Sequence, residues 1–246
     1  MTDISAGPQS QDAGAQTRIL NRWSLASYGA PAMPLSMVAL PLAVYLPAVY
    51  ADADGFGLSL GFVSLMLMLS RIFDGVTDPL VGFLSDRLRT RWGRRKPFIA
   101  IGTPIYLAGM WLLWVPPFEF GDITLLGASF NSGYPYLLGV LILLYIGATI
   151  KDIPYSAWGA ELSPHYHERT LITSWREGFS VSGSLLGVFI PIVVFFWDFT
   201  RPVDIVFFLA VVTVTMMPIL VANMLISVPE RIPDETRTTR LPLRES

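Results

Sequence analysis

Six long apolar stretches, separated by short polar connections, run along the chain. They extend from about Ser24 to Tyr50, Leu58 to Ser85, Pro97 to Val115, Tyr134 to Gly159, Leu171 to Phe196 and Val203 to Val228. Each approaches or exceeds the roughly 20 apolar residues that a helix needs to cross about 30 Å of hydrocarbon. In that solvent every backbone polar group must be satisfied internally, so the stretches read as helices. The first carries Pro31, Pro34, Pro41 and Pro47, which predicts a kinked helix whose freed carbonyls are served by its neighbours. The expected fold class is an all-α membrane protein, with residues 18–228 forming a bundle of six transmembrane helices.

The ends have a different texture. Residues 1–17 are polar and rich in Ser, Gly, Ala and Gln, without the basic start or apolar core of a cleaved signal. They are expected to be a disordered cytoplasmic tail. Residues 229–246 are polar and charged, and read as a second cytoplasmic tail or the start of a linker to further helices.

Charge orients the bundle. Arg18 and Arg22 precede the first stretch, and Arg87, Arg89, Arg91, Arg94, Arg95 and Lys96 fill the second connection. Arg169 lies between the fourth and fifth stretches, and Arg231, Arg237, Arg240 and Arg244 follow the sixth. The opposite connections hold Asp52, Asp54, Glu119, Asp122, Asp198 and Asp204 against Arg201. An excess of Lys and Arg marks the cytoplasmic side, so both termini are expected there, in a plasma (inner) membrane. Two termini on one side require an even number of spans, which agrees with six. The connection from Pro116 to Gly133 is the longest external one and divides the spans into two groups of three, as in the nested inverted repeats of secondary transporters.

Composition agrees with a membrane chain and removes other classes. Hydrophobic residues are 52%, charged residues 15% and mean hydropathy +0.52, whereas a soluble domain carries about 25% charged residues. A net charge of -2 argues against a nucleic-acid partner, and the absence of Cys removes disulfides and thiolate metal sites. The partners expected are membrane lipids and a small-molecule solute, with no cofactor.

Three charged segments break the apolar pattern. In the second stretch, Asp74 and Asp78 are four residues apart and share a helix face, with Arg71 three residues before. Asp74 lies roughly 18 Å along the helix from Asp86, near mid-membrane. Carboxylates at that depth cost several kcal/mol unless a proton, a metal cation or a basic side chain compensates them. A simple ion pair of Arg71 with one carboxylate leaves the other unexplained. In the fourth stretch come Thr149, Lys151, Asp152, Pro154, Tyr155 and Ser156, and Arg176 and Glu177 follow in the fifth. Antiparallel fourth and fifth helices can bring Asp152 and Arg176 to similar depth. A structural lock, Lys151–Glu177 or Asp152–Arg176, is the alternative and is compatible with a gate. The third segment is Gly82-Phe-Leu-Ser-Asp86-Arg87 followed by Trp92-Gly93-Arg94-Arg95-Lys96-Pro97. Its simplest reading is a basic loop with a helix-capping Asp.

The stretch from Arg71 to Phe98 resembles the glycoside–pentoside–hexuronide:cation symporter family, the melibiose-permease-like branch of the major facilitator superfamily. Asp152-Ile-Pro154-Tyr155 resembles that family's helix-four motif, and Ser174-Trp175-Arg176 its helix-five arginine segment. The resemblance implies the N-terminal six-helix half of a major-facilitator fold, working in cation-coupled transport of a sugar or related solute. It implies a cation site at Asp74, Thr77, Asp78 and Thr149, with Asp74 and Asp78 as Na+ ligands if sodium is the coupling ion and a proton as the alternative. It implies a solute site at Asp152, Arg176, Lys151 and Tyr28. It assigns Gly82, Asp86, Arg87, Gly93, Arg94, Arg95 and Lys96 to a conformational-switch loop. The chain departs from the pattern at Thr77, where the family has Asn, and at Ser156, where it has an aromatic. The sugar-binding carboxylate expected after a Tyr-Gly pair is missing, because Tyr28-Gly29 is followed by Ala30, Pro31 and Ala32. These departures leave the solute open. Lys151 adds an internal ammonium that favours proton coupling or uniport.

A major-facilitator carrier needs two six-helix bundles, so a second half is expected, fused, separate or supplied by a homodimer copy. Other readings are a transport-inactive scaffold or sensor and, more remotely, a membrane phosphotransferase. The run Asp74-Gly75, Asp78, Gly82, Asp86 resembles the aspartate motif of CDP-alcohol phosphotransferases, but lacks their Ala-Arg pair and contains Pro79.

Overall fold

The computed structural model describes residues 20–52, 55–88, 90, 92–125, 128–196 and 201–229. The expected tails (1–17, and the C-terminal segment beyond Pro229) lie outside these residues. So do Arg18, Asp54, Arg89, Arg91, Asp198, Arg231, Arg237, Arg240 and Arg244.

Among the described residues, seven helices and a hairpin follow in order: α1 (Arg22–Gly29), α2 (Ala32–Ala51), α3 (Leu60–Arg87), α4 (Lys96–Trp114), β1 (Asp122–Leu125), β2 (Ala128–Asn131), α5 (Gly133–Glu161), α6 (Tyr166–Phe195) and α7 (Pro202–Ser227). Six spans among the described residues are long and apolar enough to cross a membrane, with α1 and α2 forming the first. This is the all-α, six-span bundle of a multi-pass membrane protein. Asn21 starts α1 by accepting the Ser24 N–H at 2.7 Å. The first span parts at Ala30 and Pro31, where proline offers no N–H to continue the ladder. Pro41 and Pro47 stay within α2. The fifth span begins at Tyr166, ahead of the expected Leu171, because its first turn is polar and lies outside the apolar run.

Close backbone approach holds the bundle together. A Cβ at Gly147 would collide with the backbone of Tyr106, and one at Gly109 would lie 2.7 Å from Leu144 Cα, so α4 and α5 pack with almost nothing between them. Gly183 and Gly187 on α6 meet the carbonyls of Met33 and Met37 on α2 in the same way. Small residues at such spacing let helices approach where lipid supplies no hydrophobic drive to associate.

The packing order has an internal symmetry. Exchanging the first span with the fourth, the second with the fifth and the third with the sixth carries the α2–α6 contact onto α3–α5. The same exchange carries α2–α7 onto α4–α5 and leaves α4–α7 in place. This is how two inverted groups of three spans pack. The second and fifth spans, α3 and α6, are the least covered, with apolar side chains such as Ile72, Val76, Leu80, Val181, Leu185 and Phe189 exposed.

At one end, the long connection folds as an antiparallel hairpin that pairs Asp122 with Asn131 and Thr124 with Ser129. In the same connection and the helix ends beside it, Tyr50, Phe56, Phe118, Phe120 and Tyr136 form an aromatic cluster. At the opposite, basic end, Gly93 takes φ 107°, a left-handed conformation that lets the α3–α4 connection turn tightly against Thr90.

Candidate functional site

The centre of α3 faces α5. Asp74 and Asp78, one turn apart, both present a carboxylate oxygen to the Thr149 hydroxyl, at 3.0 and 2.9 Å. One hydroxyl has one proton, so it donates to either carboxylate in turn and leaves the other charge unmet. Arg71 compensates weakly: its nearest nitrogen is 3.9 Å from Asp74, its side chain is exposed, and its guanidinium lies over the Tyr145 ring at 4.7 Å. These groups, with Asp152 and Ser156, line a cavity of about 500 Å³. Among the described residues no three His, Cys, Asp or Glu side chains converge as a metal-ion set. The oxygen set here is two carboxylates and a hydroxyl. Thr77 stands apart, its hydroxyl turned back to the Asp74 carbonyl at 3.1 Å.

Lys151 is fully buried (2% exposed) between α4 and α5. Its ammonium donates to Asp152 at 2.7 Å and sits 4.1 Å from the Tyr106 ring centre. The ring's negative face and one carboxylate thus replace its water. Lys151 therefore reaches the acid cavity through Asp152.

Arg176 donates to Glu177, its chain neighbour, at 2.8 Å. Asp152 and Arg176 do not form an ion pair among the described residues, and neither does Lys151 with Glu177. They line adjoining cavities instead. The second, of about 330 Å³, is bounded by Tyr28, Ser156, Arg169, Thr173 and Arg176, and Ser156 borders both. Tyr28 is buried there by a reciprocal tie: its hydroxyl donates to the Tyr155 carbonyl at 3.0 Å, and Tyr155 donates to the Tyr28 carbonyl at 2.7 Å. A Cβ at Gly159 would overlap the Tyr28 hydroxyl, so the glycine makes room for this tie.

The basic end is a network. Arg95 is buried and bridges Asp86 and Glu161, each at 2.7 Å, and donates to Ser85 at 3.0 Å. Burial pulls its pKa down, but hydrogen bonds to Glu161 and Asp86 outweigh that and hold it above the ordinary value. Arg94 shares Glu161 at 2.6 Å, and Lys96 donates to the Leu225 carbonyl on α7 at 2.8 Å. Arg87 lies over Phe83, and a Cβ at Gly82 would come into ordinary contact with Ile153. The loop thereby joins the ends of α3, α4, α5 and α7.

Sequence reasoning passed over Glu161, Tyr145 and Tyr106. Glu161 had a usable signal: it is an acid at the end of the fourth apolar stretch, on the same side as six basic residues. The two tyrosines had none, since an aromatic in an apolar run looks like core.

The description "MFS/sugar transport protein" matches residues 27–246. An uncharacterized symporter, sll1374, from Synechocystis is 32% identical over 68% of this chain and 30% of that protein. The inner membrane symporter YicJ of Escherichia coli is 29% identical over 82% of this chain and 43% of that protein. The mouse sodium-dependent lysophosphatidylcholine symporter 1 is 33% identical over 50% of this chain and 22% of that protein. The chain covers less than half the length of these curated relatives. The chain belongs to the MFS/sugar transport family, in its glycoside–pentoside–hexuronide:cation symporter branch.

Proposed function

We propose that the chain is the N-terminal half of a carrier that couples a cation, Na+ or H+, to movement of a sugar or related small solute. The observation that carries this reading is the convergence of Asp74, Asp78 and Thr149 at the middle of two spans. A charged carboxylate at the centre of a membrane helix costs about 2.5–3.5 kcal/mol on insertion scales, and two of them face one hydroxyl. A bound cation relieves their repulsion and supplies the missing charge. With the cation in place, α3 and α5 draw together and the solute cavity beyond Ser156 takes its closed shape. Cation and solute then favour one state, and each raises affinity for the other by linkage. Tyr28 and Arg176 face that solute, Asp152 stands at the boundary with the cation, and Lys151 holds Asp152 in position. The network of Asp86, Arg94, Arg95, Lys96 and Glu161 fastens helix ends in one conformation and must part in the other. The exposed faces of α3 and α6 meet a second six-helix bundle, and rocking of the two gives alternating access.

The test is uptake of labelled sugars in vesicles by the carrier with its second half. Asp78→Asn should abolish stimulation by a Na+ or H+ gradient and spare gradient-independent solute exchange. Unchanged gradient dependence in this variant removes the proposal.

A further inference from the structure

We propose that Lys151 sets the charge the acid cavity accepts: by neutralising Asp152 it limits the coupling site to one monovalent cation and keeps divalent cations out. This rests on the carrier reading above. The cavity wall carries three carboxylates, Asp74, Asp78 and Asp152, against one guanidinium, Arg71, which leaves two negative charges. Lys151 stands behind that wall and removes one of them, since its ammonium donates to Asp152 Oδ1 at 2.7 Å. One monovalent cation then balances the remainder.

The geometry separates this role from a structural one. The ion pair joins neighbours on one helix, so it fastens no two helices together. Consecutive helical residues point about 100° apart, so position 151 turns toward α4 while position 152 borders the cavity. Only a long, flexible stem can bring a charge round to the carboxylate from there, and lysine has one. The surroundings keep that charge in place. A Cβ at Gly102 on α4 would lie 2.7 Å from the Lys151 backbone nitrogen, so the root of the lysine is clamped between the helices. The Tyr106 ring covers the ammonium at 4.1 Å, and the side chain is closed off from solvent. Among the described residues, Asp152 is the ammonium's one hydrogen-bond partner. With the lysine charge removed, the three carboxylates offer six oxygens and the Thr149 hydroxyl a seventh. Ca2+ takes roughly 6–8 such hard ligands. Coulomb energy scales with the charge of the bound ion, so the factor by which the lost ammonium favours Na+ is squared for Ca2+. A threefold gain for Na+ becomes about tenfold for Ca2+.

The experiment is calorimetric titration of CaCl2 and of NaCl into the purified full chain in micelles, balanced with choline chloride, with proton release or uptake followed. The wild-type chain should bind Ca2+ no more tightly than Na+. Lys151→Met should bind Ca2+ at least tenfold more tightly than the wild type, and adding Asp152→Asn should return it to within threefold. A lysine that only fills space would move the melting temperature and leave these affinities alone. No gain of Ca2+ affinity in a folded Lys151→Met chain, a gain that survives Asp152→Asn, or wild-type Ca2+ binding as tight as the variant's overturns the proposal. If Lys151→Met does not fold, Asp152→Asn alone decides. It leaves the ammonium without its counter-charge and should weaken Na+ or proton exchange at least threefold; unchanged exchange overturns the proposal. Wild-type exchange of Na+ or protons, lost in Asp78→Asn, reports the carrier reading separately. If that exchange is present and the effects of Lys151 and Asp152 are absent, this inference alone fails. If both are absent, the carrier reading fails with it.

Discussion

Glu161→Gln isolates the charge that holds the basic end together. One oxygen of Glu161 accepts from Arg94 at 2.6 Å and from Arg95 at 2.7 Å. The glutamine carbonyl can still accept both, so the change removes charge and keeps shape. The arginine donors stay charged in the variant, so each bond loses only the carboxylate's charge, about 1 kcal/mol within the roughly 1.5–3 kcal/mol range of charge-assisted bonds. Two bonds give about 2 kcal/mol, reduced to about 1–2 because Glu161 is about a third exposed (32%). Asp86→Asn should cost less, about 0.5 kcal/mol, since the Asp86 side chain is 62% exposed. Both acids share one nitrogen of Arg95, so the double variant should depart from additivity. Reversible unfolding in mixed micelles with rising SDS, followed by helical circular dichroism, measures all three. A raised Arg95 pKa contributes stability that is present below its ordinary value and lost only as pH climbs through the higher folded value. The arginine's share should therefore be flat across the neutral range. A cost below about 0.3 kcal/mol for Glu161→Gln, or a larger cost for Asp86→Asn, refutes the reasoning.

Three further outcomes follow from particular contacts. Gly147→Leu forces a side chain into the Tyr106 backbone and should separate α4 from α5, destabilising the bundle by more than about 2 kcal/mol in the same assay. Lys151→Met leaves Asp152, whose side chain is 44% exposed, without its ammonium and should cost about 1 kcal/mol, most of it recovered when Asp152→Asn is added; failure of the second change to rescue shows that Lys151 acts by filling space alone. A single Cys at Ser129, in a chain that has none, should react with impermeant maleimide in intact cells, and reaction only after permeabilisation would reverse the orientation read from charge.

The spans were legible because lipid imposes one rule on every backbone group, and six apolar runs obey it. Pro31 announced its break by lacking an N–H, whereas Pro41 and Pro47 show that the same residue can sit inside a helix. The hairpin after α4 was not read from the sequence: Asp122-Ile-Thr-Leu125 and Ala128-Ser-Phe-Asn131 each alternate polar and apolar residues, but a run of four is too short to stand out beside the long apolar stretches. Helical spacing on α3 brought Asp74 and Asp78 to one face, and the family resemblance supplied Thr149 across from them. What spacing could not supply was the rotation of α5, which turns Asp152 toward α3 and away from Arg176. That rotation is set where Gly102 and Gly109 of α4 and Gly147 of α5 bring the two backbones together, a contact between helices that no single-helix pattern encodes.

The proposed coupling site holds a cation between Asp74, Asp78 and Thr149. Calorimetric titration of Na+ into the purified chain in choline-balanced micelles, with proton release or uptake followed in the same sample, tests this directly. The account predicts saturable exchange of one of the two ions, lost in Asp78→Asn and retained in Asp86→Asn at the far end of the same helix. Exchange that survives in Asp78→Asn, or no saturable exchange of either ion by the wild-type chain, would contradict it.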